Sequence, residues 1–231
     1  MRRRRAVVVL IAMAAFLTLI FSAPIVFQDF LHDTFAPLWE KVIPHDSNKA
    51  KTEGAQDSLT MLDALSVKGR APKTGYARTE FGNGWGKIQG CSVRQVILHR
   101  DLKDSVMKDE CTVQSGVLDD PYTGNVIYFD RSNSATVQID HVVALSDAWQ
   151  KGAQNLSKEK RVELANDPLN LLASDGPANQ QKGDADAATW LPKNKAFRCE
   201  YVERQVAVKY KYSLWVTDSE EGVMREVLKT C

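Results

Sequence analysis

Apolar and polar positions along the chain divide it into strand-like and helix-like stretches. "GNVIYFD" and "ATVQIDHVV" are rich in β-formers and predict two strands, with "RSNS" as the turn between them. "PLNLLAS" predicts a third, short apolar strand. Leu59, Leu62 and Leu65 recur at helical spacing and predict a helix opening the folded region. "LSDAWQKGA" begins another, with Ser146 able to cap it and Trp149 on one face. "SKEKRVELAND" predicts a helix capped by Ser157 and ended before Pro168. "GPANQQKGDADAATWL" reads as a helix with Pro177 in its first turn. "CEYVERQVAVKYKYSLWV", with Val202, Val206 and Tyr210 in phase, and "EEGVMREVL" close the chain as helices. "SVRQVILHRDL" permits strand or helix, and "GYARTEFGNGWGKIQGC" reads as a loop or short-strand region. The mixture predicts an α+β fold.

The N-terminus departs from this pattern. "MRRRR" precedes an uncharged apolar run from Ala6 to Phe27. About 20 apolar residues suffice to cross a bilayer. Either an uncleaved signal anchor or a cleaved signal peptide fits residues 1–27. Against cleavage, Pro24 follows Ala23, and Phe21 stands where a small residue is wanted. Both readings keep the arginines inside and export the rest, as a membrane-anchored or a secreted protein. Residues 28–57 turn polar and aperiodic and read as a juxtamembrane linker, leaving 58–231 as the domain.

Composition is that of a globular chain, 44% hydrophobic and 26% charged. The formal net charge is +1, and the arginines at positions 2–5 more than account for it. The rest of the chain is acidic, so a nucleic-acid partner needs a local basic patch. Cys91, Cys111, Cys199 and Cys231 contain no CxxC, which argues against structural zinc. In an exported chain they predict disulfides. Three pairings are open, and the nearest-neighbour one is the simplest.

One strand contains a problem. In "VQIDHVV" the adjacent Asp140 and His141 interrupt an apolar run, and burying both without partners would cost several kcal/mol, roughly. Two further stretches, "NDPLNLL" and "ANQQKGD", also set polar groups at the end of an apolar element. Strand, strand and helix form a unit that could gather Asp140, His141, Asn170, Asn179 and Lys182. These residue types suit phosphodiester hydrolysis. A hard divalent cation takes oxygen donors such as Asp140 and the Asn179 amide. A neutral His141 could take a proton from water. Its ring needs holding, by a backbone carbonyl or an amide such as Asn170. Lys182 could neutralise a phosphate.

The stretches "IDHVVALSDAW", "NDPLNLLASDGPANQQKGD" and "WLP" resemble the HNH nucleases with a ββα-metal fold. Among these the chain is most similar to the domain at the C-terminus of GmrSD-type restriction endonucleases and to exported actinobacterial proteins carrying it. The resemblance extends to "GYARTEFGNGW", "GCSVRQVILHRDL", "DPYTG" and "RCEYVERQVAVKYKY". It implies a ββα-metal core embedded in further helices and short strands, stapled by disulfides. It further implies Asp140 and Asn179 as ligands of Mg²⁺ or another divalent ion such as Mn²⁺, His141 as general base and Asn170 as its orienting partner. Asn179 stands where the family name has its last histidine, and the connection from His141 to Asn170 is longer than in compact HNH units.

The reading is a metal-dependent endonuclease acting on DNA more readily than RNA, with little sequence specificity. The alternative is an inactive, disulfide-stapled cell-envelope binding module of the same fold. The membrane is a partner through the N-terminal segment, and no protein partner is inferable. The site residues are expected to line a solvated cleft. Basic residues in "PKNKAFRCEYVERQVAVKYKYS", with Arg131 near the first strand, are candidate phosphate contacts. Tyr76, Arg78 and Trp85 read as architectural, Trp149 and Trp190 as core anchors, and Asp147 as a charge favouring a helix N-terminus.

Overall fold

The first of the predicted strand pairs is not a pair. Val126–Asp130 and Val137–His141 are both strands, but "RSNS" does not fold them into a hairpin. Asp130 accepts from the Ser132 amide and starts a single 3₁₀ turn, after which the chain enters a different sheet. This is seen in a computed structural model that describes residues 47–231. The apolar run 6–27, on which the membrane readings rest, lies outside the described residues. Among the described residues no helix is long and apolar enough to cross a membrane.

From Asn48 onward the chain forms one compact α+β unit. Helix α1 (Ser47–Ala64) takes in Leu59 and Leu62 of the leucines predicted to open the domain, and Leu65 follows its end. After a 3₁₀ turn at Arg78–Phe81 come the short strands β1 (Lys87–Ile88) and β2 (Cys91–Ser92). "SVRQVILHRDL" resolves as helix α2 (Val93–Asp101), which buries Val93, Ile97 and Leu98. Strands β3 (Lys103–Met107), β4 (Val113–Asp119) and β5 (Val126–Asp130) form one antiparallel sheet in that order.

Strand β6 (Val137–His141) pairs antiparallel with β7 (Leu171–Asp175), from Val137 opposite Asp175 to His141 opposite Leu171. Helices α3 (Leu145–Gln150) and α4 (Lys158–Asn166) lie in the connection between them. Ser157 caps α4 as predicted. Ser146 does not cap α3, whose cap position is Ala144; its hydroxyl donates to Asp184 instead. Helix α5 (Gly176–Lys182) follows β7 directly and packs back on both strands, giving a ββα unit. Gly176 makes that turn possible, because a Cβ there would run into the Ala135 carbonyl. The helix is shorter than its sequence pattern and stops at Gly183, which has positive φ. Helices α6 (Arg198–Lys211) and α7 (Asp218–Leu228) complete the fold, α7 opening with a Thr217–Glu220 capping box.

Successive residues of β6 face opposite sides. Val137 and Ile139 pack with Leu171, Ala173 and α2 in one apolar cluster. On the other side Leu172 joins Tyr122, Tyr201, Val202 and Val206 in a second. A buried ionic knot ties the helices together. The Lys151 ammonium lies 2.6–2.8 Å from Asp147, Asp186 and Glu220. Lys209 reaches Asp147 and Glu220, and Arg70 reaches Asp147 and Asp186. Burial pushes the Lys209 ammonium down, but Glu220 and Asp147 more than offset it and hold it above its usual value. Asp147 therefore does more than favour a helix N-terminus. Lys209, read from sequence as part of a basic face, has no exposure at all.

The cysteines pair as nearest neighbours, Cys91 with Cys111 and Cys199 with Cys231. Titration of the unreduced, denatured chain should therefore find no free thiol. Reduction should lower stability by roughly 2–4 kcal/mol per bridge, read as a fall in the urea midpoint.

Candidate active site

Asp140 and His141, adjacent at the end of β6, enter different surroundings. Asp140 faces α5. Lys182 Nζ lies 3.1 Å from Asp140 Oδ1 and 3.0 Å from Oδ2, and it also donates to the His141 carbonyl at 2.9 Å. The Tyr122 hydroxyl donates to Asp140 Oδ2. Burial pushes the Asp140 carboxyl up, and Lys182 and Tyr122 draw it back only in part. Asn179, one turn before Lys182, sits on the same side; its amide nitrogen donates to Gln138 Oε1 at 3.0 Å.

His141 faces the other way. Its Nε2 lies 2.9 Å from the Ala165 carbonyl. A carbonyl can only accept, so Nε2 carries the proton and Nδ1 is left as the acceptor. The ring stacks on Trp85, with centroids 5.6 Å apart and planes 6° from parallel. Beside it opens a cavity of about 140 Å³ lined by Arg78, Gly82, Gly84, Trp85, His141 and Ala165. Burial, above all, lowers the His141 pKa from 6.5 to about 3; the Ala165 bond opposes this, and the Arg78 and Lys182 charges add to it. The ring is thus neutral across the physiological range.

This shift has a consequence for stability. Between pH 6.5 and about 3 the unfolded chain holds a proton on His141 that the folded chain lacks. Stability must therefore fall as pH drops through that window, by up to ~1.4 kcal/mol per pH unit from this residue. His141→Gln should lose that share of the slope between pH 6.5 and 4.5. Equal slopes for the two proteins in urea titrations would refute the assignment.

The Asn170 side chain makes no hydrogen bond to the His141 ring. Its Oδ1 accepts from the Val143 amide at 2.8 Å, and its Nδ2 reaches the Val143 and Leu164 carbonyls at 3.3 and 3.4 Å. Its backbone carbonyl accepts from Val142. It thereby pins the chain just after His141 to the chain just before Ala165. Helix α4 also holds the loop above His141. Asn166 accepts from the Gly86 amide at 2.7 Å, and Arg161 binds the Glu80 carboxylate and carbonyl. The long connection between β6 and β7 thus supplies both the carbonyl behind the imidazole and the anchor of the loop in front of it.

The expected solvated cleft is not what these residues line. Asp140 is 5% exposed, His141 6% and Lys182 2%. As arranged, Asp140 and Asn179 do not fit a divalent cation. Both carboxylate oxygens of Asp140 already face the Lys182 ammonium, and one also takes the Tyr122 hydroxyl. Among the described residues no group of three His, Cys, Asp or Glu side chains could hold a metal ion. Arg131 is exposed at the turn before β6 and stands beside Arg94; burial first, then that neighbouring charge, lowers the Arg94 pKa. Arg78 and Trp85, expected from sequence to be architectural, both join His141. The signal was the glycine-rich segment that carries them, which has no regular periodicity to explain it.

The family model described as "GmrSD restriction endonucleases, C-terminal domain" matches residues 92–227. An "Uncharacterized secreted protein" of Arthroderma benhamiae is 34% identical over 180 residues, which cover 77% of this chain and 86% of the relative. No solved structure matches. The family model spans β2 through most of α7, including the whole ββα unit and its long connection, and so the chain belongs to the family of the GmrSD restriction endonuclease C-terminal domain.

Proposed function

We propose that the domain is an exported endonuclease of the HNH type that hydrolyses phosphodiester bonds in DNA. The observation that carries this reading is the held imidazole. His141 is neutral, has its tautomer defined by the Ala165 carbonyl, and borders a cavity that also contains an arginine. In this reading His141 Nδ1 takes a proton from water. The water oxygen bonds to phosphorus, the P–O ester bond breaks, and the departing oxygen takes a proton from solvent. Asn170 acts through the backbone on either side of the imidazole and its carbonyl, as a positioning residue. The family supports a nuclease, and a divalent cation, Mg²⁺ or Mn²⁺, is the cofactor this proposal carries. Asp140 and Asn179 would be its oxygen donors only if Asp140 released the Lys182 ammonium, since as arranged they do not fit it. No step is routed through it. Lys182 is proposed as the fixed countercharge of Asp140, and Arg131 as a phosphate contact outside the cavity.

Export is supported by the apolar N-terminal run, the disulfides and the secreted relative. Anchoring of the full chain in the membrane is the accompanying proposal. The second reading, an inactive binding module, is favoured by one observation, the Asp140–Lys182 pair closed away from solvent.

The test is incubation of the full chain, purified in detergent, with supercoiled plasmid, single-stranded DNA and RNA. Nicking of plasmid with Mg²⁺ or Mn²⁺ and its arrest by a chelator are expected. No cleavage of any substrate with either ion would leave the binding module.

A further inference from the structure

We propose that the loop from Arg78 to Trp85 is a phosphate-binding wall of the His141 cavity, with the Arg78 guanidinium as its anion contact. This rests on the nuclease reading for its role in cleavage, but the binding site stands on its own geometry.

Three observations converge. Among the described residues Arg70, Arg100, Arg161, Arg204 and Arg225 each lie within ion-pair distance of a carboxylate, and Arg78, Arg94, Arg131 and Arg198 do not. Arg78 has no hydrogen-bond or ion-pair partner among the described residues, and the acid nearest in sequence, Glu80, is held by Arg161. Arg78 nevertheless lines a cavity, together with the His141 imidazole, whose acceptor nitrogen has no hydrogen-bond partner among the described residues. Finally, part of the lining is glycine backbone, beside Phe81 and Leu145. Gly82 and Gly84 have φ of +105° and +100°, a conformation that side chains rarely adopt, and a Cβ at Gly84 would meet nothing within 4 Å. Such a wall lets a bulky anion approach the peptide groups. Trp85 closes one side and is fixed by its stack on His141.

A guanidinium offers a planar fork of donors that matches two oxygens of a phosphate. The ligand class is therefore a phosphate monoanion or dianion, free or as the diester of a nucleic acid. In the nuclease reading the diester is held against His141 by Arg78, which touches the reacting group and would be a catalytic residue.

The test has two arms. In the first, the ¹⁵N-labelled full chain in detergent micelles is titrated with inorganic phosphate at constant ionic strength. The Trp85 indole N–H and the Gly82 and Gly84 amides should shift saturably, and Arg78→Gln should abolish the shift. In the second arm, Arg78→Gln should lower kcat/KM for plasmid nicking by about 10²-fold, with Arg78→Lys in between. An exposed side chain without partners should leave the melting temperature of both variants unchanged. If Arg78→Gln fails to fold, Arg78→Lys carries the same comparison, with a weakened shift expected. No phosphate shift in the wild-type chain, or the same shift in the variant, overturns the proposal. A phosphate shift that needs Arg78, in a chain that cuts no nucleic acid, sustains this site and overturns the nuclease reading instead.

Discussion

His141→Ala is expected to slow phosphodiester cleavage by a factor of about 10²–10⁴, the usual contribution of a general base. The loss should appear in single-turnover rates at saturating substrate, because in the proposed mechanism the imidazole acts on the water in the chemical step. The replacement has structural effects too. It removes the donor to the buried Ala165 carbonyl and the ring stacked on Trp85. An unsatisfied buried carbonyl costs roughly 1–3 kcal/mol. The variant should therefore fold with a lower melting temperature, and circular dichroism must accompany the rate measurement. His141→Gln separates the two effects, since its amide can donate to Ala165 while supplying no effective base. It should recover stability without recovering the rate. A wild-type rate in either variant would remove His141 from the chemistry.

The largest effect on stability is expected at Lys151. Its ammonium has no exposure and lies within 2.8 Å of three carboxylates. Lys151→Met fills similar space but leaves Asp147, Asp186 and Glu220 facing only Lys209 and Arg70. Breaking a buried ion pair by removing one partner costs about 3–5 kcal/mol. A typical domain has only about 5–15 kcal/mol in total. The urea midpoint should fall sharply, with both disulfides intact. Adding Glu220→Gln removes the excess negative charge and should return part of the loss. A double variant no more stable than Lys151→Met would mean that the knot holds by packing instead of charge balance.

The ββα unit was legible in the sequence because each of its elements carries its own local signal. "VQIDHVV" is β-forming and Pro177 marks a helix start, whereas the stop at Gly183 was not read from the pattern, which runs on to "TWL". The pairing of the cysteines was legible as the simplest of three. The partner of β5 was not. Lys103–Met107 and Val113–Asp119 are strands with shifted register and polar, exposed positions, so neither shows a clean apolar pattern. With those strands unseen, β5 was matched to its sequence neighbour β6. The ionic knot was hidden for another reason. Asp147 and Lys151, Asp186, Lys209 and Glu220 come from four separate segments, and each alone resembles an ordinary surface charge. The site was legible by residue type but not by surroundings. Nothing local in "IDHVV" states that Asp140 meets an ammonium or that His141 meets a carbonyl and an indole.

The imidazole and the carbonyl that defines its tautomer are 24 residues apart in sequence. Between them the chain must leave one strand, form two helices and return. An extended chain in transit through a membrane has no such carbonyl beside His141, no stacked Trp85 and no cavity. In the proposed nuclease, the base therefore comes into being only with the finished domain. A chain exported before folding would remain harmless to the nucleic acid of the cell that made it, without needing an inhibitor.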